Sequence, residues 1–337
     1  MVITVKTAAG SYNIRLERGI LKKAAEYLNL DRRVLIVTDD GVPSEYAKTV
    51  ADSAKTAIIK TIPQGEKSKQ IETYKEVLET LVKNGFTRSD CVVAVGGGVC
   101  GDLAGFVAAT YMRGIDFYNI PTTVLSQVDS SIGGKTAIDF AGYKNIVGAF
   151  YPPKAVLIDP ETLSTLPQRQ INNGLAEAVK MALTSDAELF EIFEKSDVYN
   201  SLDVIIERSL YIKKHVVEED EYEGGLRKIL NFGHTLAHAI ESADGMENYY
   251  HGECVALGMI PMCSADVRER LVPVLQKLSL PTEILFDTNS LIEASSHDKK
   301  LSGDSITVVY VKTVGRYELK KMSFEDYKDM IRQVGNI

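Results

Sequence analysis

The sequence predicts an α/β N-terminal domain built on a doubly wound, mostly parallel sheet. A mostly α-helical C-terminal domain follows, and the active site is expected in the cleft between the two. Three observations lead there. Short apolar runs of β type alternate with helical stretches up to about Pro160. These runs are apolar at nearly every position, the mark of strands covered on both faces. Beyond Pro160 the pattern changes to long helical periods, with no repeat or low-complexity linker between. A length of 337 residues suffices for two cores, and the expected division is 1–158 and 159–337.

The elements follow in order. "VITVKTAAGSYNIRLE" reads as a hairpin turning at Gly10-Ser11. Buried strands are expected at "RVLIVTDD", "AIIKTIP", "CVVAVGGG", "DFYNIPTT" and "AVLIDP". In "KQIETYKEVLETLVKNG", Ile71, Tyr74, Leu78 and Leu81 recur with a 3.6-residue period until Gly85 ends it. In the second half, "NGLAEAVKMAL", "DVIIERSLYIKKHVVEE", "GHTLAHAIESADG" and "GECVALGMIPMCSADVRER" read as helices. "SITVVYVKTVGRYELKKM" reads as a late hairpin with Gly315 at its turn.

The composition narrows the function. Hydrophobic residues make up 45% and charged residues 25%, as in ordinary globular proteins. A net charge of −8 argues against nucleic acid or an anionic membrane as partner. The four cysteines form no C-x-x-C pair, so neither a zinc knuckle nor a disulfide framework is suggested. No charged-then-apolar leader and no apolar run of about 18 residues is found, and a reduced, cytoplasmic protein is the expectation.

"DCVVAVGGGVCGDLAGF" places glycines after a buried strand and at the start of a helix. The free N–H groups there, with no side chains in the way, suit a diphosphate. Gly96, Gly98 and Gly101 satisfy G-x-G-x-x-G, but not in the first βα unit, where the dinucleotide fingerprint belongs. A tight turn without ligand is the alternative. Asp102 follows one turn later, "IPTTVLSQVDSSIGGKTAID" brings Thr122, Thr123, Asp129 and Lys135, and "IPQGEKSK" brings Glu66 and Lys69. All follow strands, where open α/β sheets collect ligands.

"LNFGHTLAHAIE" holds two of the chain's five histidines, His234 and His238, four apart and so on one helical face. His251 opens the next helical stretch, and Glu177 lies in an apolar one. Three ligands of this kind with one position open is the usual make-up of a catalytic zinc site. The alternatives are hydrogen-bonded core histidines and a buried pair between Glu177 and Lys180. His215 and His297 stand among charged residues and are not expected to bind metal.

Taken together, these blocks resemble the 3-dehydroquinate synthase family over nearly the whole chain. The matching blocks are Gly65–Lys69, Gly96–Gly114, Pro121–Asp139, Lys144–Pro153, Gly174–Lys180, Asp220–Glu241 and His251–Met259. The resemblance implies a lyase using NAD and one divalent metal, zinc or cobalt. Its substrate would be a small anionic sugar phosphate, 3-deoxy-D-arabino-heptulosonate 7-phosphate, and the enzyme a homodimer. It implies Glu177, His234 and His251 as metal ligands. Lys135, His238, Asn231, Arg227, Glu223 and Lys180 would act in catalysis, with His238 handling protons near the phosphate. Substrate contacts would come from Arg113, reaching the other subunit's site, and from Asp129, Asn145, Lys213 and Lys299 or Lys300. NAD would rest on Glu66, Lys69, Gly97, Gly98, Val99, Asp102, Thr122, Thr123, Leu125, Lys144, Thr162, Thr165 and Leu166. The chain departs from the family at Gly41, where Asn is common, and at Gln170, where Glu is common. Other readings are a sugar-phosphate cyclase acting on a substrate without the carboxylate, a polyol dehydrogenase of the glycerol dehydrogenase type, and a silent binding protein.

Overall fold

The computed structural model describes residues 1–245, 248–284, 291, 301–302 and 305–334. It divides into two compact units, Met1–Leu166 with Lys213–Tyr222 and Pro167–Ile212 with Glu223–Ile337. The division therefore falls after Leu166 instead of residue 158, and a short stretch of the second half belongs with the first unit.

The first unit is organised by a seven-stranded sheet. Its strands are β1 (Val2–Thr7), β2 (Gly10–Leu16), β3 (Arg33–Asp39), β4 (Thr56–Ile62), β5 (Cys91–Gly96), β6 (Asp116–Pro121) and β9 (Ala155–Ile158). The order is β1-β2-β9-β6-β5-β3-β4, with β1 antiparallel to β2 and the other pairs parallel. The first hairpin turns at Ala8-Ala9, since Thr7 pairs with Gly10, two residues earlier than expected. In β3, Leu35 and Val37 face a core shared with Val77, Leu81, Leu103 and Val107, while Val34 and Ile36 face one shared with Ile20, Ala47 and Val50. Both faces are thus covered, which is why these strands are apolar throughout.

The flanking helices include the short α1 (Ala24–Tyr27), α2 (Ser44–Asp52), α3 (Ile71–Lys83) and α4 (Gly98–Thr110). α3 buries Thr73, Val77 and Leu81, and its first residue, Ile71, stays exposed, a shift of the apolar face from the expected one. A two-stranded ribbon, β7 (Lys135–Phe140) with β8 (Tyr143–Phe150), stands where no strand pair was expected. β8 is largely exposed and lacks the continuous apolar run that reveals a buried strand.

In the second unit the main helices are α5 (Gln168–Ser185), α6 (Ala187–Lys195), α8 (His234–Asp244), α9 (His251–Met259) and α10 (Ala265–Lys277). α7 (Leu202–Glu219) begins here. A three-stranded sheet, β10 (Leu301–Ser302), β11 (Ser305–Thr313) and β12 (Arg316–Ser323), contains the late hairpin, and Gly315 turns it at φ 80°. Residues 172–184 of α5 are buried without a break. α8 and α9 pack glycine against backbone: a Cβ on Gly258 would lie 2.0 Å from the Gly233 carbonyl oxygen. Gly233 also takes φ 77°, which turns the chain into α8.

Candidate active site

The helical unit brings together three groups that the sequence keeps far apart. Glu177 lies midway along α5, and His234 and His251 are the first residues of α8 and α9. Glu177 Oε1 is 3.6 Å from His234 Nε2 and 3.4 Å from His251 Nε2. The three ligand atoms all fall within 4.8 Å of one another. A tetrahedral ion with bonds of about 2.1 Å separates its donors by about 3.4 Å, so this spacing suits zinc or cobalt.

Three further observations fit an ion. His234 Nδ1 lies 3.1 Å from the Phe232 carbonyl oxygen and His251 Nδ1 2.8 Å from Glu241 Oε1. With Nδ1–H donating to those oxygens, each Nε2 keeps its lone pair for a metal, the usual outer arrangement of metal-bound histidine. Neither oxygen of Glu177, whose residue is 1% exposed, has a partner in hydrogen-bond geometry. The expected alternative is present as well, since Lys180 Nζ sits against Oε2 as an ion pair. That contact leaves Oε1 as the oxygen facing both imidazoles.

The charge states follow from burial and neighbours. Burial works to raise the Glu177 pKa, but Lys180 and the two histidines hold it well below the carboxylate range. Burial and Lys180 keep His234 neutral, its pKa well below 6.5. Burial also opposes charge on His251, yet the neighbouring carboxylates of Glu177 and Glu241 push it up to about 10. The metal-free protein therefore carries a proton on His251 at neutral pH that an ion must displace. The sign follows: below about pH 10, zinc affinity is expected to rise about tenfold per pH unit, with about one proton released. Calorimetry in buffers of different ionisation enthalpy would measure that proton, and zero release would contradict the assignment.

Other expected residues of this unit lie nearby in sequence and space. His238 is exposed on α8, one turn beyond His234, with ring centroids 5.7 Å apart. Arg227 lies 2% exposed in the 3-10 turn Leu226–Asn231, and Asn231 at its end donates to Glu223 Oε1 at 2.8 Å. Lys299, Lys300 and His297 lie outside the described residues.

The nucleotide loop belongs to the first unit. From β3 the chain moves outward to β4, then returns to β5 on the other side of β3, so the strand order reverses there. Open α/β sheets bind ligands at such a reversal, beyond the carboxyl ends of the strands. Those ends carry Asp39-Asp40 and Gly96-Gly97. A pocket of about 620 Å³ opens at the β3 end, lined by Thr38, Asp39, Gly41, Val42, Ala47 and Ile59 among others. α4 begins at Gly98 with Gly97 as its cap, and no side chain caps its free N–H groups. A Cβ on Gly97 would press on Thr123 at 3.2 Å and one on Gly98 on Ser130 at 3.1 Å. The residues fit a diphosphate as that loop requires.

Around the loop, Lys69 is buried and pairs with Asp102 at 2.7 Å and Glu66 at 3.5 Å, and it donates to Asn145. Burial raises the Asp102 pKa even against Lys69. Val99 and Leu125 are partly exposed, and Lys144 lies exposed on β8. The Thr122 N–H reaches the Gly96 carbonyl at 2.9 Å, and Thr123 Oγ1 lies 2.8 Å from Ser126 Oγ. Thr162 is buried, Thr165 Oγ1 meets the Tyr46 hydroxyl at 2.9 Å, and Leu166 ends the same turn. Asp129 pairs with Lys213, and Lys135 opens β7 exposed. Arg113 is exposed at φ 69°, next to Met112 at φ 50°. At the Gly41 departure, a Cβ would meet the Gln64 carboxamide at 2.3 Å, so glycine makes room for Gln64.

Two further residues support the candidate cluster without a motif to mark them. Glu241 holds His251, and its signal was its place seven residues after His234, on the same face of α8. Asn173 accepts the Gly252 N–H at 2.6 Å, and no local pattern announced it.

The family model described as 3-dehydroquinate synthase N-terminal matches residues 59–173, and the one described as 3-dehydroquinate synthase C-terminal matches 174–301. The chain is 41% identical over 354 residues to a 3-dehydroquinate synthase of Streptococcus suis (strain 05ZYH33), covering 98% of this chain and 100% of that one. A crystal structure of 2-deoxy-scyllo-inosose synthase complexed with carbaglucose-6-phosphate, NAD+ and Co2+ is similar at TM-score 0.90 and 27% identity, covering 99% and 100% of the two chains. A 2-epi-5-epi-valiolone synthase from Streptomyces hygroscopicus subsp. jinggangensis 5008 with NAD+ and Zn2+ bound reaches 0.88 at 26% identity, covering 100% and 99%.

Proposed function

The chain belongs to the 3-dehydroquinate synthase family, and from that premise we infer the chemistry and the roles of its residues. The protein is an NAD- and divalent-metal-dependent lyase. It converts 3-deoxy-D-arabino-heptulosonate 7-phosphate to 3-dehydroquinate and phosphate. The sequence of steps is oxidation, phosphate elimination, re-reduction, ring opening and intramolecular aldol closure. The observation that carries the reading is the Glu177–His234–His251 cluster, with donors spaced as a tetrahedral ion needs them.

When bound, NAD takes up and returns a hydride, and the divalent ion polarises the alcohol that is oxidised. The protein supplies position and charge. Glu177, His234 and His251 would hold the ion, Glu241 and the Phe232 carbonyl fixing the two rings. The substrate carries a carboxylate and a phosphate, so cations must meet it although the chain is acidic overall. We assign that task to Arg227, Lys180, Lys135, Lys213 and Arg113, with Asn231 and Asn145 as neutral donors. Lys180 and Arg227 are buried at 1% and 2% exposure, which makes their fields strong. Asp129 fixes Lys213 and Glu223 fixes Asn231. Lys299 and Lys300 belong to the same proposal from the resemblance alone. The glycine loop Gly97–Val99 would seat the diphosphate, flanked by Glu66, Lys69, Asp102, Thr122, Thr123 and Leu125. Lys144, Thr162, Thr165 and Leu166 complete the proposed cofactor contacts.

His238 is a proton carrier in this reading and not a metal ligand. Incubation with the heptulosonate phosphate, catalytic NAD+ and zinc is expected to release phosphate with no net NADH. Accumulating NADH would instead indicate a polyol dehydrogenase. His238→Ala is expected to keep its zinc and lose about 100-fold or more in kcat, the scale of a general acid–base group. Zinc loss equal to that of a ligand mutant would refute this division of labour.

We further propose a homodimer in which Arg113 serves the site of the other copy. The support is the strained, exposed Met112-Arg113 turn, since left-handed backbone at non-glycine residues persists where function holds it. Sedimentation should give twice the 37.1 kDa chain mass, and a stable monomer would end the proposal. No described helix is long and apolar enough to cross a membrane. A cytoplasmic site of action is part of the same proposal.

A further inference from the structure

We propose that Arg169 is a positioning residue for the metal centre: together with Asn173 it pins the first turn of α9, and so sets how His251 presents Nε2 to Glu177. The inference rests on the metal-site reading above.

The contacts converge on one helix start. Arg169 Nε and Nη2 donate to Glu253 Oε1 at 2.7 Å and Oε2 at 2.8 Å, a bidentate pair. Nη2 also donates to the Asn248 carbonyl at 2.5 Å, and the guanidinium lies 4.6 Å from the Tyr250 ring centroid. Glu253 Oε2 in turn accepts the Tyr250 N–H at 2.8 Å, closing a capping box around the residue that precedes His251. Gly252, directly after His251, gives its N–H to Asn173 Oδ1 at 2.6 Å. Asn173 Nδ2 donates to Gln170 Oε1 at 3.3 Å. The glutamine that departs from the family pattern thus helps to orient this asparagine.

The geometry of α5 makes this a device and not a scatter of contacts. Arg169, Asn173 and Glu177 are spaced by four, so they lie along one helical face. That face supplies one metal ligand and, one and two turns earlier, holds the helix that supplies another. The approach is close enough to demand Gly252, because a Cβ there would lie 1.9 Å from the Asn173 carbonyl oxygen. Glu253 is 8% exposed in its side chain, and its buried carboxylate needs the partner that Arg169 provides. A first turn of α9 released from Arg169 can tilt, and a small tilt moves His251 Nε2 off the distance an ion requires.

The test uses the zinc- and cobalt-loaded full chain. Arg169→Ala is expected to lose zinc to a chelator about 10- to 100-fold faster than the unaltered protein, the scale for removing support from a ligand. Its cobalt form should show a changed visible d–d spectrum. Arg169→Lys should recover only part of the retention, since a point charge cannot hold both carboxylate oxygens. Glu253→Gln, which keeps the side-chain shape, should move both readouts the same way and guards against misfolding of the alanine variant. A lower Tm with unchanged zinc retention and cobalt spectrum would overturn the proposal alone. An unaltered protein that binds no stoichiometric zinc would overturn the metal-site reading and this inference with it.

Discussion

Replacing Glu177 by glutamine is expected to remove the metal and lower kcat/KM by about 1000-fold or more. The loss corresponds to about 4 kcal/mol, within the several kcal/mol that a Lewis-acid ion contributes to a charged transition state. The amide keeps the shape of the side chain but gives up the charge that balances two imidazoles and Lys180. Burial makes the consequence large. Glu177 and Lys180 are each 1% exposed and in contact, so the substitution also strands a buried ammonium. Breaking such a pair costs about 3–5 kcal/mol of stability. Metal analysis by mass spectrometry, beside the melting temperature of the variant and of metal-free wild type, separates the two effects. A variant that retained one zinc per chain would show that Glu177 is no ligand.

Gly258→Ala is the second large effect, although residue 258 bears no functional group. The added carbon would lie 2.0 Å from the Gly233 carbonyl oxygen and 2.9 Å from its carbon, and backbone cannot yield as a side-chain tip can. α8 and α9 must separate, and they carry His234 and His251 at their first residues. Overpacking typically costs about 1–3 kcal/mol. Backbone contact on this scale puts the expected loss at about 3 kcal/mol or more, a fall in Tm of roughly 4 °C or more for a chain of this length. Zinc retention should fall with it, because the two imidazoles lose their common distance to Glu177. Scanning calorimetry and metal analysis check both, and wild-type values for both would mean that the two helices do not cross at this glycine.

Much of the first unit was legible because its strands are buried on both faces and therefore apolar without interruption, as in "RVLIVTDD" and "CVVAVGGG". The β7–β8 ribbon was not, because its exposed second strand mixes Tyr143, Lys144, Asn145 and Ile146 without alternation. The turn of the first hairpin shifted because Gly10 at φ 129° starts the returning strand and leaves Ala8-Ala9 to make the turn. In the site, His234 and His251 could be named from their motifs, yet their pairing with Glu177 depends on helix packing that no local period encodes. The same holds for Glu241 and for the Arg169–Glu253 pair, whose partners lie 84 residues apart. Long-range partners of that kind become visible only once the helices are in place.

In the proposed function, Glu177, His234 and His251 share one divalent ion. The most direct measurement is anomalous diffraction at the zinc edge from crystals of the zinc-loaded protein. A single peak is expected about 2.0–2.2 Å from a Glu177 oxygen and from Nε2 of both histidines, with Lys180 outside the coordination shell. A peak on any other set of side chains, or full zinc occupancy with Glu177 Oε1 turned away from both imidazoles, would contradict it.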